Sequence, residues 1–154
     1  MDYSIRKCKE YDLNKVIELC QKHAIYEQCS YDINSKENLL KYALFSEKPQ
    51  LYCFVIVINE SIEGYFTYTF DFSTWDAGTY LHLDCLYLEP DYRGKKIGDK
   101  VIELLKDIAI QNNCINIQWQ TPYFIEKAIR FYQRIGAKGK SKIRFSLEVD
   151  CSGH

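Results

Sequence analysis

Residues 91–99 read Asp-Tyr-Arg-Gly-Lys-Lys-Ile-Gly-Asp, a basic turn with glycines at 94 and 98. Lys95, Lys96 and the following Lys100 supply positive charge, and the glycines let a ligand approach the backbone closely. The turn joins two elements of different period. Upstream, Leu81-His82-Leu83-Asp84-Cys85-Leu86-Tyr87-Leu88 is apolar and aromatic with two polar interruptions, the pattern of a strand buried on both faces. Downstream, Ile97, Val101, Leu104, Leu105 and Ile108 fall on one helical stripe. A helix opening at Ile97 points its first N–H groups, and the positive end of its dipole, back into the turn. The chemistry this predicts is capture of a phosphate. The turn is neither a G-x-x-x-x-G-K-[ST] loop nor a G-x-G-x-x-G fingerprint, which excludes two nucleotide-binding motifs.

Asp84 is the second chemical feature. A carboxylate inside an apolar strand is expensive to bury without a partner, so it must face a crevice or be paired, and in a crevice it can act as a base. His82, two residues earlier, is a rival base. Cys85 is a nucleophile by type, but no histidine is placed by sequence to activate it, and a free cysteine in a strand reads as core. Tyr26 and Glu27, with Asp32, Glu63, Asp71 and Asp76 as looser additions, have the aromatic and acidic character that seats a cation.

The elements that must position these residues follow in order. Residues 4–8 open a sheet; Leu13, Val16, Ile17, Cys20 and Ala24 form a helical stripe after an Asp12 N-cap. Asn34 and Glu37 have capping-box spacing and start a second helix through Leu39, Leu40, Ala43 and Leu44. Residues 51–58 and 64–72 are strands joined at Asn59-Glu60-Ser61, and Asp76-Ala77-Gly78 turns the chain into the strand at 80–88. After the Ile97 helix, residues 114–120 are a strand, 124–135 a helix ended by Gly136, and 142–149 a final strand. This order predicts an α/β fold: a mixed sheet, antiparallel in its first half, with helices on both faces. Its fourth and fifth strands each lead into a helix, so they can splay and leave a crevice at their carboxyl ends.

Composition narrows the function. A length of 154 residues fits one domain, and a formal net charge of −1 gives no global field for nucleic acid. No apolar run approaches the ~20 residues that span a bilayer, and the first residues lack a signal-peptide layout, so a cytoplasmic location and no membrane partner are expected. The seven cysteines form no C-x-x-C pair and no His/Cys cluster at metal spacing. Reduced, mostly buried thiols and no metal are the expectation.

Three ordered blocks carry a resemblance that covers nearly the whole chain: His23-Ala24-Ile25-Tyr26-Glu27; Leu83 to Leu88 running into Asp91-Tyr92-Arg93-Gly94; and Phe131-Tyr132 followed by Gly136-Ala137. Together they resemble the GNAT superfamily of N-acetyltransferases, and within it the diamine (spermidine/spermine) branch. The resemblance implies one GNAT domain over residues 1–150, a tail at 151–154, a sheet splayed between strands 4 and 5, and a homodimer. It implies acetyl-CoA as co-substrate, with Leu86, Tyr87 and Leu88 along the pantetheine arm. Arg93, Gly94, Lys95, Lys96, Ile97, Gly98 and Asp99 would surround the pyrophosphate, and Ile125 and Ala128 would also contact the coenzyme. Tyr132 would be the general acid and Asp84 the base, by itself or through water, where the branch carries glutamate. Periodicity alone reads Tyr132 as a core aromatic. Tyr26, Glu27, Asp84, Gln118, Trp119 and Gln120 would contact the acceptor, a small cationic amine of polyamine or diamine type. Aminoglycoside or protein N-acetylation, and a non-catalytic acyl-CoA sensor, are the alternatives. Two positions depart from the family pattern. Glycine is usual where Lys96 stands, and a lysine costs about 1 kcal/mol if that position needs positive φ. Asparagine is usual where Ile125 stands, with Gln120 or Thr121 as substitutes here.

Overall fold

The computed structural model describes residues 1–149, so the expected tail at 151–154, with Cys151, lies outside the described residues. The chain falls into two compact units, Met1 to Pro122 and a second beginning at Tyr123.

In the first unit five strands lie side by side in chain order: β1 (Tyr3–Lys7), β2 (Tyr52–Ile58), β3 (Ser61–Ser73), β4 (Gly78–Leu88) and β5 (Ile117–Gln118). The first four pair antiparallel, and β5 runs parallel to β4. Asn59 and Glu60 take φ of 49° and 70° between β2 and β3, the doubly left-handed turn that matches strand twist. One face of the sheet presents Cys53, Val55, Tyr65 and Tyr87 to Val16 and Leu19 of α1 (Leu13–Tyr26), with Leu44 and Phe45 of α2 (Lys36–Phe45) at the border. By strand alternation Phe54, Phe66, Tyr68, Leu81 and Leu83 belong to the other face, where the Phe54 and Phe66 rings stack at 5.2 Å. That face is left for α3 (Ile97–Gln111), which buries Ile97, Val101, Ile102, Leu105 and Ala109 and packs beside β5. Leu104 and Ile108, expected on the same stripe, are half-buried.

The second unit holds α4 (Glu126–Arg134), shorter at its start than the expected helix at 124–135. Gly136 ends it at φ 95°, with the Gly136 and Ala137 N–H groups donating to the carbonyls of Gln133 and Tyr132.

Several expectations are corrected. No strand forms over 142–149, where Ile143, Phe145, Leu147 and Val149 are 80–90% exposed: alternation supplies a strand pattern, but a strand also needs a neighbour for its backbone groups. The strand expected at 114–120 shrinks to Ile117–Gln118. Asn34 and Glu37 form no capping box: α2 starts after Ser35, which sits at φ 66°, while the Asn34 N–H donates to the Asp32 carboxylate instead. Helix α2 has no fully buried residue, and Leu39 is exposed. Among the six described cysteines, Cys8 and Cys53 are buried, Cys20, Cys85 and Cys114 half-buried, and Cys29 exposed.

Asp12 does precede α1, yet its side chain caps nothing in that helix. It is buried and accepts from both Arg6 guanidinium nitrogens (2.7 and 3.0 Å) and from the Lys9 N–H (2.8 Å), tying β1 to α1. The Arg6 hydrogen bonds hold the Asp12 carboxyl below its ordinary range, against the opposing effect of burial. A carboxyl lowered by folding contributes stability above its unfolded pKa of about 3.9, and that contribution is lost as pH falls through the folded value. The Arg6 side chain is 37% exposed, so solvent screens the pair. Asp12→Ala is expected to cost about 2 kcal/mol at pH 7 by urea titration, with the gap to the parent protein closing below about pH 4.

Candidate active site

The site begins with a fault in β4. Thr67 of β3 pairs with Cys85 while the adjacent Tyr68 pairs with Leu83, so Asp84 is the extra residue of a β-bulge. The bulge exposes Asp84, which answers the cost of a carboxylate in an apolar strand. It also changes which face the strand presents. Leu81 and Leu83 pair with Phe70 and Tyr68, whereas Cys85 and Tyr87 pair with Thr67 and Tyr65 on the α1 side. Pairing of β4 with β5 stops just before the bulge, at Leu81–Ile117 and His82–Gln118.

Beyond His82 the outer edge of β4 therefore has no β5 partner. The Glu89 N–H donates to the Glu63 carbonyl at 2.9 Å, which sets the phase of the antiparallel ladder. Alternation then turns the main-chain groups of Tyr87 toward β3 and those of Leu86 and Leu88 outward. The Arg93 Nε donates to the outward Leu88 carbonyl at 2.7 Å.

Between Arg93 and α3 the backbone takes two left-handed steps, Gly94 at φ 77° and Lys96 at φ 65°. No side chain caps α3 at Lys96. The Arg93 N–H donates to the Pro90 carbonyl, but among the described residues the N–H groups of Gly94, Lys95, Lys96, Ile97 and Gly98 have no protein acceptor. A Cβ built on Gly94 would meet nothing within 4 Å. Five consecutive donors at a helix start, beside Lys95, Lys96 and Lys100, make an anion-binding concavity. The Lys95 ammonium lies 5.9 Å from the Tyr92 ring centre.

A row of polar side chains runs from Asp84 across the α1 face. The Cys85 thiol donates to the Asp84 carboxylate at 3.7 Å. Burial first, then the Asp84 charge, push that thiol up to about 12, which disfavours the thiolate near neutral pH. The Tyr65 hydroxyl is buried and raised in pKa chiefly by desolvation, with the Cys20 and Cys85 thiols nearby. It also lies 3.0 Å from His23 Nδ1, while His23 Nε2 lies 2.7 Å from a Glu27 carboxylate oxygen. Nearby, Arg93 packs its guanidinium 4.5 Å from the Tyr26 ring centre and 5.4 Å from that of Tyr87. The Tyr87 hydroxyl donates to Glu89 at 3.0 Å. Burial opposes the charge of Glu89, yet its bonds from Lys22 and Tyr87 hold its carboxyl below the ordinary range.

His23, Tyr65 and the Arg93 side chain were not singled out by sequence reasoning. The four-residue spacing of His23 and Glu27 on one helix face was available as a signal. Gln118 and Gln120 are exposed, Trp119 is half-buried, and the Gln118 amide donates to Asn116 at 3.1 Å. His82 pairs with Thr69 and Gln118 in the sheet. In the second unit Ile125 precedes α4 and is buried, Ala128 is half-buried, and the Tyr132 ring tilts against Phe131 at 5.3 Å.

Residues 16–137 match the model of the acetyltransferase (GNAT) family. The chain belongs to the GNAT acetyltransferases. Thialysine N-epsilon-acetyltransferase of Sus scrofa is 30% identical over 142 residues, covering 87% of this chain and 83% of the relative. The human spermidine/spermine N(1)-acetyltransferase-like protein 1 is 25% identical, covering 89% of this chain and 21% of that longer protein. These relatives support the diamine branch. An aminoglycoside N-acetyltransferase solved in complex with CoA shares the fold, with a TM-score of 0.78 at 13% identity over 96% of this chain and 95% of that one.

In this GNAT acetyltransferase no helix among the described residues is long and apolar enough to cross a membrane. The left-handed Lys96 makes its departure from the family glycine measurable. Lys96→Gly is expected to stabilise the ligand-free protein by about 1 kcal/mol, a rise of about 3 °C in Tm by calorimetry. An unchanged or lower Tm would show that this backbone does not strain the lysine.

Proposed function

We propose that this acetyltransferase moves the acetyl group of acetyl-CoA to a primary amine of a small cationic acceptor, of thialysine, diamine or polyamine type, by direct attack in a ternary complex. The single observation that carries the reading is the run of unengaged amides from Gly94 to Gly98, next to a β4 edge whose Leu86 and Leu88 groups point outward. Those groups fit the coenzyme: a diphosphate needs several oriented N–H donors, and a pantetheine amide needs a strand edge to extend. Acetyl-CoA would supply the activated thioester carbonyl.

The protein's own residues have three tasks. The first is to hold the acceptor, for which the exposed Asp84 and the part-exposed Glu27 provide negative charge. Tyr26 contributes less than its type suggests, because Arg93 already lies against its ring. The second is to take a proton. A primary amine of pKa ~10.4 is an ammonium at neutral pH, and deprotonating it costs roughly 4–5 kcal/mol before nitrogen can attack. Asp84 takes that proton directly or through one water; a new N–C bond then forms as the C–S bond breaks. The third is to give a proton to the departing thiolate, the role that the family resemblance gives Tyr132, which is reprotonated by the proton that the acylated nitrogen sheds as it becomes the amide. Homodimerisation and a cytoplasmic location belong to the same reading.

The test is coenzyme A release, followed with a thiol reagent, over a panel of thialysine, spermidine, 1,4-diaminobutane, lysine and kanamycin. The diamine-like members are expected to turn over. Asp84→Asn and Tyr132→Phe should each lower kcat on the order of 10²-fold with the KM for acetyl-CoA little changed. Acetyl-CoA binding without turnover of any amine would favour a sensor, and full activity in Tyr132→Phe would remove that residue from the acid role.

A further inference from the structure

We propose that His23 is a specificity-determining positioning residue, which holds the Glu27 carboxylate in the orientation that receives the cationic acceptor. The proposal rests on the reading of Glu27 as part of the acceptor seat.

Glu27 stands where a carboxylate is poorly placed. It follows the last turn of α1, at the negative end of the helix dipole. Its backbone is fixed there, because the Gln28 N–H donates to Ile25 at 3.0 Å and the Cys29 N–H to Ala24 at 2.7 Å, with Gln28 at φ 59°. Only the side chain remains to be oriented. A long carboxylate side chain one-third exposed would sample several rotamers, and each wrong one weakens its attraction for an ammonium. His23 sits one turn earlier and reaches it with Nε2 at 2.7 Å.

His23 is itself held by two tyrosines. Its side chain is 13% exposed, its ring stacks on Tyr87 at 5.3 Å, and Nδ1 lies 3.0 Å from the Tyr65 hydroxyl. These contacts also fix the proton arrangement. A carboxylate only accepts, so Nε2 carries the hydrogen that faces Glu27; in the neutral ring Nδ1 then accepts from Tyr65. Tyr65 has one hydroxyl hydrogen, and His23 Nδ1 at 3.0 Å is placed to accept it. One hydrogen bond to one oxygen leaves the other lone pairs of Glu27 for the acceptor. An anchored donor thus orients the charge without consuming it.

Two substitutions separate positioning from core packing. His23→Gln places an amide donor near Nε2 and keeps the bond to Glu27, whereas His23→Asn reaches only the Nδ1 side and keeps the bond to Tyr65. Both lose the ring stack, so each controls for the other's packing defect. With thialysine and spermidine as acceptors, Glu27→Gln and His23→Asn are expected to raise the amine KM about tenfold with kcat and the KM for acetyl-CoA within about twofold. His23→Gln should stay within about threefold of the parent amine KM. Equal amine KM values in the Gln and Asn variants, alongside a raised KM in Glu27→Gln, would overturn the proposal and leave the acceptor seat standing. An unchanged KM in Glu27→Gln would overturn the seat itself, and with it the proposal.

Discussion

A parallel strand cannot follow a partner that bulges away from it, and this constraint organises the molecule. β5 pairs with β4 up to His82 and no further, because the next turn of the ladder meets the extra residue Asp84. From that one fault come an exposed carboxylate, an edge at Leu86 and Leu88 without a β5 partner, and the switch that carries Cys85 and Tyr87 to the α1 side of the sheet. The lost pairing leaves β4 an edge of the kind that an extended chain or ligand can lengthen.

The loop that follows β4 extends the same logic. Its Arg93 turns back to the Leu88 carbonyl and stacks near Tyr26 and Tyr87, so the side chain of the basic turn is structural on the α1 side. The anion-binding capacity lies in the main chain instead. Two left-handed residues aim successive N–H groups outward, and one of them is a lysine where glycine would be cheaper. The lysine adds its charge to a turn of free N–H donors, at a small cost in stability.

Local features were legible in the sequence, and non-local ones were not. The strand–turn–helix around residues 91–99 is visible because glycine, basic residues and a change of period occur within one short window. The consequence of positive φ at Lys96 could be stated in advance for the same reason. The bulge could not: strict alternation places His82 and Asp84 on one face, and only pairing with β3 reveals the extra residue. The row from Asp84 to Glu27 was hidden for a similar cause, since Tyr65 joins it from a strand about forty residues away from His23. The final strand failed in the opposite direction. Ile143, Phe145, Leu147 and Val149 alternate well, but alternation carries no information about a pairing partner.

The most direct measurement is an amide-resolved NMR titration comparing coenzyme A with pantetheine, which lacks the diphosphate. If main-chain donors grip that diphosphate, the Gly94, Lys96 and Gly98 amide signals move strongly with coenzyme A and little with pantetheine, while Leu86 and Leu88 respond to both. Saturating coenzyme A that leaves the signals from Gly94 to Gly98 in place would contradict the account.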